Sequence, residues 1–174
     1  MTETDPVAHR GAAVPGPQKV AEPLSKQRLR LWLKLLKVTR LVEHEVRDRF
    51  RTAHDTTLPR FDVLAALHRA EAGLRMSELS GVLRVSNGNV TGIVERLVEE
   101  GHVMRAAVEG DRRATRVRLT AAGRIHFAQL ASAHESWVDD LLDGVDAESA
   151  RLMLEHLDHI TEKLENEEAS HERR

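Results

Sequence analysis

The sequence has no cysteine and no tyrosine, and only 3% of its 174 residues are aromatic. Without cysteine there are no disulfides, thiolate nucleophiles, cysteine–zinc sites or thiol redox sensors. No apolar run approaches the roughly 20 residues of a membrane span. The N-terminus lacks the apolar segment of a secretory signal, so the expected compartment is the cytoplasm, with no membrane partner. Neither charge dominates: 26 Lys+Arg against 28 Asp+Glu leave a net −2. That is not the basic balance of a general nucleic-acid coat, so any nucleic-acid site must be a local patch. Also missing are paired carboxylates in a cleft pattern, a nucleophile–base signature and a phosphate-cradling glycine loop. The chain is expected to be no enzyme and to hold no cofactor and no metal.

What is present is 41% hydrophobic and 31% charged residues, in a chain long enough to bury a core without cross-links. The charge is split along the chain: residues 24–54 carry +6, residues 58–125 carry +3 and residues 126–174 carry −9. Residues 1–23, with Pro6, Pro15, Pro17 and Pro23 among glycines and alanines, read as a flexible arm. Leu31, Leu35, Val38, Val42, Val46 and Phe50 then recur at three- and four-residue steps and predict a long amphipathic helix. Leu29, Trp32, Leu33 and Leu36 make its first half apolar on more than one side, as in a helix buried in an oligomer.

His54–Thr57 breaks that helix, and Thr57 with Pro59 opens a second one carrying Phe61, Val63, Leu64 and Leu67. A short helix over 77–84 follows. Ser86 is placed to cap a fourth, whose inner face is Val90, Ile93, Val94, Leu97 and Val98. The period then changes to two: strands over 103–108 and 115–119 flank polar turn material at 109–114. Thr120 caps a long helix and Asp146 a last one, with Leu154, Leu157, Ile160, Thr161 and Leu164 expected inward.

Two short helices with a tight connection, then a hairpin, make a winged helix-turn-helix plan. The fold class expected is mainly α with a small β-hairpin wing and a helical dimerisation domain. The second helix of such a pair enters a major groove, so its start should be small and polar. Ser86, Asn87, Asn89 and Thr91 fit, and Gly88 lets the backbone approach closely. Arg112 and Arg113 at the hairpin tip suit a narrow, electronegative minor groove. Each feature alone is also what an ordinary cap or turn looks like; their order and spacing together point to double-stranded DNA.

At these residues the sequence resembles the MarR family of bacterial transcription regulators. The resemblance runs through Leu58–Leu64, Met76–Ser80, Val85–Thr91, and Gly110–Ala114 leading into Val117–Gly123, and covers about residues 27–165. Its most specific part is the Asp-x-Arg wing followed by Leu-Thr-x-x-Gly. It implies a homodimer: an arm at 1–23, a dimerisation helix at 24–57, a DNA-binding lobe at 58–119 and dimerisation helices at 120–174. It also implies that Asp111 positions the wing, that Arg113 enters the minor groove, and that the helix from Ser86 reads the major groove. Members usually repress a neighbouring operon and release a palindromic operator when a small, often aromatic, ligand binds. The wording of 58–67 and 76–91 is similar to members controlling aromatic-acid breakdown, some of which answer to phenolic acids and some to hydroxycinnamoyl-CoA thioesters. The chain departs from the peroxide-sensing branch, which uses cysteine. In such a dimer the basic first helix would pack with the acidic last helices.

The effector this implies is small, aromatic and anionic. Trp32, Arg40, His44 and Arg47, with Phe61 and Asp62, are the residues expected to line its site. Lys37, Arg40, His44, Arg47 and Arg51 form one basic stripe, which is either a solvated, salt-bridged face or a receiver of that anion. Trp32 and Trp137 either stack on a planar ligand or pack in the core. His156 and His159 have zinc-compatible spacing, but ten histidines are scattered through the chain and a solvated face is the simpler reading. A competing function is a helical dimeric protein-interaction module, which would need neither wing-tip arginines nor a polar helix start.

Overall fold

The computed structural model describes residues 22–108 and 111–172, with side chains described for 22–107 and 115–171. The chain divides after Thr39 into two compact units. Helix α1 runs over Leu24–His54. In the first unit the Pro23 carbonyl accepts from the amides of Lys26 and Gln27 at the helix start. There Leu29, Leu31, Trp32 and Leu33 are all exposed.

The second unit holds the rest of α1, then α2 (Leu58–Arg69), β1 (Leu74–Arg75), α3 (Met76–Leu83), α4 (Asn87–Glu99), β2 (Val103–Val108), β3 (Asp111–Leu119), α5 (Ala121–Leu141) and α6 (Ala147–Glu172). α1 ends where Asp55 turns left-handed at φ 47° and the Thr56 amide reaches back to the Phe50 carbonyl at 3.3 Å. Pro59 sits in the first turn of α2, where its missing N–H costs nothing. The strands form one antiparallel sheet in the order β1-β3-β2, with Leu74 opposite Val117 and Val103 opposite Leu119. Val103, Val117 and Leu119 turn inward onto Leu64, Leu67, Leu79, Val90, Val94 and Leu97, all buried. A fully buried leucine or valine contributes about 1.5–3 kcal/mol, so this small lobe carries most of the apolar stabilisation visible within one chain.

The mainly α fold with a winged helix-turn-helix matches the expectation. β1 was not expected, and β3 begins at Asp111 rather than Thr115. Thr57 and Ser86 take the extended N-cap backbone, yet neither side chain makes a cap hydrogen bond. Thr120 and Asp146 do cap, accepting from the amides of Gly123 at 2.9 Å and Ser149 at 2.8 Å. The last helix overturns one reading. Leu154, Leu157, Ile160 and Leu164 are 60, 41, 45 and 58% exposed, and Thr161 is exposed too, so nothing among the described residues covers that face. The arm at 1–23 lies almost entirely outside the described residues.

Candidate nucleic-acid interface

Helix α4 is fixed by its inner face. Val90, Val94 and Leu97 are fully buried, which leaves Asn87, Gly88, Asn89, Gly92 and Arg96 facing out. A Cβ at Gly88 or Gly92 would meet nothing within 4 Å, so neither glycine is demanded by packing, and both leave the helix backbone open to approach. Ser86 and Asn89 are exposed with no side-chain hydrogen bond among the described residues.

Asn87 and Thr91 are spoken for. The buried Ser80 hydroxyl of α3 lies on the Met76 carbonyl at 2.6 Å and against the Asn87 side-chain amide. A hydroxyl has one proton, so one of these contacts is a donation and the other an acceptance from the amide NH2. Either way the pair locks α3 to the start of α4. Thr91 donates to the Asn87 carbonyl at 2.8 Å, which leaves its oxygen free only as an acceptor. Ser80 was not singled out in the sequence. The signal was available, since a serine seven residues before Asn87 spans a helix-turn-helix turn.

The wing is β2 and β3. Asp111, Arg112 and Arg113 stand in β3, but their side chains lie outside those described. The base of the wing is well defined. The Thr120 amide donates to the His102 carbonyl at 3.0 Å, and the Thr120 hydroxyl donates to the Gly101 carbonyl at 2.6 Å. A Cβ on Gly123 would fall 1.9 Å from the His102 carbonyl oxygen, so only glycine fits there. The Leu-Thr-x-x-Gly motif is therefore the seam between wing and α5. His102 and His126 stack across it at 4.2 Å and 7°. Burial holds the His126 imidazole below its ordinary range, helped by His102, Arg60 and His54 and opposed by Glu100. Arg105 of β2 reaches Glu95 of α4 at 3.8 Å, tying the wing to α4.

The residues expected to hold an effector do not meet in one place. Phe61 and Asp62 line a cleft of about 360 Å³ with Arg69, Val82 and His134. His44 and Arg47 line another, about 240 Å³, with Asp48, Arg51 and Thr57. Arg40 is exposed and lines neither; Trp32 stands exposed in the first unit. Burial raises the Asp62 carboxyl above its ordinary value, and the nearby charges of Arg47, His134 and Arg69 pull it back. Of the basic stripe, Arg47 pairs with Glu43 at 2.5 Å and Arg51 with Asp48 at 2.5 Å on their own helix. Arg49, outside the stripe, bridges to Asp140 of α5 at 3.3 Å. Trp137 packs edge-on against Phe50 at 5.1 Å, which is the core reading of that ring. His134, missed in the sequence, lies on Phe61 at 4.9 Å. His156 and His159 stand exposed on α6. No helix among the described residues is long and apolar enough to cross a membrane.

A sequence profile of the MarR family matches residues 54–114. The solved MarR family transcriptional regulator from Silicibacter pomeroyi is 32% identical, with a TM-score of 0.68 over 82% of this chain and 99% of that one. The transcriptional activatory protein BadR of Rhodopseudomonas palustris is 33% identical over 104 residues, 59% of either chain. A mutant MarR from E.coli, solved in complex with operator DNA, matches with a TM-score of 0.64 at 24% identity, over 80% of this chain and 99% of that one. At that identity the likeness is one of fold.

Proposed function

Because this chain belongs to the MarR family of transcriptional regulators, a DNA-binding regulator and not an enzyme, we propose that it acts as a homodimeric repressor. It would leave a palindromic operator when a small aromatic acid, or the CoA thioester of one, binds. The observation that carries the DNA reading is the outward face of α4: Ser86, Gly88 and Asn89 are exposed and unengaged while Val90, Val94 and Leu97 on the opposite face are fully buried. Asn89 is the base reader in this reading, since an asparagine amide can bond two atoms of an adenine edge. Asn87 becomes a positioning residue through Ser80. Arg112 and Arg113 serve the minor groove, and Asp111 sets the wing. The E.coli MarR solved with operator DNA supports the geometry by analogy of fold.

The dimer reading rests on the uncovered apolar residues of α6, which a second copy would bury. The effector reading is centred on the cleft at Phe61 and Asp62, where an aromatic wall meets Arg69 and His134, with Arg47 acting on Asp62 from nearby. A carboxylate or phosphate there would take charge-assisted bonds.

One experiment tests the set. The operator is found by footprinting, and its affinity is measured with and without hydroxybenzoic and hydroxycinnamic acids and their CoA esters, alongside transcription in vitro. Expected are protected half-sites about one helical turn apart, lower transcription when bound, and release by one of these compounds. Asn89→Ala should relax base preference at one position per half-site, at about 1–3 kcal/mol. Equal binding to any duplex would sink the DNA reading. Raised transcription on binding, the sign that BadR's name carries, would replace repression with activation.

A further inference from the structure

We propose that Asn87–Gly88 is a self-deamidation site that switches off DNA binding, and that the buried Ser80 hydroxyl guards it. The chemical step stands on the local geometry of α4. Its consequence rests on the proposed reading of α4 as the helix that meets DNA.

An asparagine loses its side-chain amide when the backbone nitrogen of the next residue attacks its Cγ. Here the Gly88 N–H gives its proton to hydroxide or water, the Gly88 N–Cγ bond forms and the Cγ–Nδ2 bond of Asn87 breaks. The leaving nitrogen takes up a proton and departs as ammonia. Water then opens the cyclic imide at either carbonyl. Opening at Cγ gives aspartate; opening at the main-chain carbon gives isoaspartate, whose backbone is longer by one carbon. Water is the only co-reactant, and nothing is oxidised or reduced.

The start of α4 suits this step in three ways. Gly88 sets no side chain beside the attacking nitrogen, and a Cβ there would meet nothing within 4 Å, so the surroundings are open as well. The nitrogen is also unengaged. Gly88 is the second residue of the helix, where an amide has no helical carbonyl one turn back. Ser86 does not cap through its side chain, and among the described residues the Gly88 amide donates to nothing. Attack finally requires the backbone at Asn87 to leave the helical conformation, which a first-turn residue can do by fraying. The turn is closed by the amides of Asn89 and Val90 on the one Ser86 carbonyl, at 3.2 and 3.3 Å, and by the Thr91 hydroxyl on the Asn87 carbonyl. The other two asparagines lack this combination: Asn89 precedes the buried, β-branched Val90, and Asn166 lies inside α6 before Glu167.

Ser80 opposes the step. Its hydroxyl lies against the Asn87 side-chain amide and holds that amide on α3. The side chain has to break from α3 before its Cγ can turn to the Gly88 nitrogen. The product is a carboxylate, an acceptor with a negative charge. In the first turn of α4 the helix dipole accommodates that charge, so the lobe keeps its fold. Toward DNA phosphates the same charge is repulsive. Isoaspartate adds a main-chain carbon just ahead of Asn89 and displaces the proposed base reader. Deamidation therefore ends DNA binding without unfolding the protein, and at a rate set by how firmly Ser80 holds Asn87.

The test uses the full chain, incubated for days at mildly alkaline pH. Each asparagine is followed by digestion and mass spectrometry, with isoaspartyl methyltransferase labelling for the lengthened product. Acid should accumulate at Asn87 while Asn89 and Asn166 remain amides. Gly88→Ala, which has room for its Cβ, should hold Asn87 as the amide, and Ser80→Ala should speed the loss several-fold. The aged fraction, separated from fresh protein by ion exchange, should keep a cooperative thermal transition and bind the operator about tenfold or more weakly. Asn87→Asp should show the same loss from the outset. No preference for Asn87 over Asn89 and Asn166, a Ser80→Ala rate no faster than the parent's, or aged protein that binds the operator like fresh protein overturns the proposal. If fresh protein binds no operator, the DNA reading falls and takes the switch with it, while the mass spectra still show whether Asn87 reacts.

Discussion

Helix α4 and the last helix α6 carry the same kind of apolar pattern with opposite outcomes. In α4, Val90, Val94 and Leu97 recur at steps of four and three and are 0% exposed. In α6, Leu154, Leu157, Ile160 and Leu164 recur at steps of three and four and stay between 41 and 60% exposed. Helical periodicity says which face needs cover; it does not say which chain supplies it. The lobe closes on itself because α2, α3, α4 and the sheet surround one core. α6 has no such neighbours among the described residues, so in the proposed dimer its stability is tied to protein concentration through the partner.

That contrast can be broken from either side. The largest effect is expected from Gly123→Ala, which drives a Cβ into the His102 carbonyl and has only backbone to push against. It should cost about 4 kcal/mol or more, seen as a large fall in the midpoint of the thermal transition, while a dilution series still finds the same dependence on assembly. Leu157→Glu attacks the other side. It should weaken the dimer by about 2 kcal/mol per chain or more, shown by sedimentation, and leave the amide chemical shifts of the lobe in place. If that variant stays dimeric at low micromolar concentration, the α6 face is not the interface.

Two smaller changes sharpen the lobe itself. Ser80→Ala removes the lock on Asn87 and should cost about 1 kcal/mol by thermal denaturation. Operator affinity should fall with it, although Ser80 is buried and touches no base. The smallest effect concerns acid. His126 is depressed below its ordinary value of 6.5 in the folded protein, so the unfolded chain binds the extra proton first. The stability it contributes is present above pH 6.5 and is lost as pH falls through 6.5 toward the depressed value. Stability against pH for His126→Phe, which keeps a ring on His102, should be flatter across that window than for the parent.

Much of this was legible in the sequence because local chemistry decides it. Thr120 and Asp146 cap their helices as read, and Pro59 marks the start of α2. Elements that depend on a distant partner were not legible. The two-residue strand at Leu74–Arg75 exists only because Val117 and Arg116 lie opposite, and no local pattern of two residues can announce that. Ser86 and Asn87 both looked like readers of DNA. One is free, and the other is engaged by Ser80 across a turn. The six residues chosen for an effector site were taken from two helix faces. Helical spacing could not show that Phe61 and Asp62 would open to one cleft and His44 and Arg47 to another, or that His134 would join the first.

The Gly123 seam has a mechanical consequence. With backbone against backbone at His102, and Thr120 fastened to both Gly101 and His102, there is no compliant side chain between the wing and the first turn of α5. A hinge needs slack, and this joint has none. Torque applied to the wing is delivered to α5 undamped, so the wing and the head of α5 must pivot as one lever.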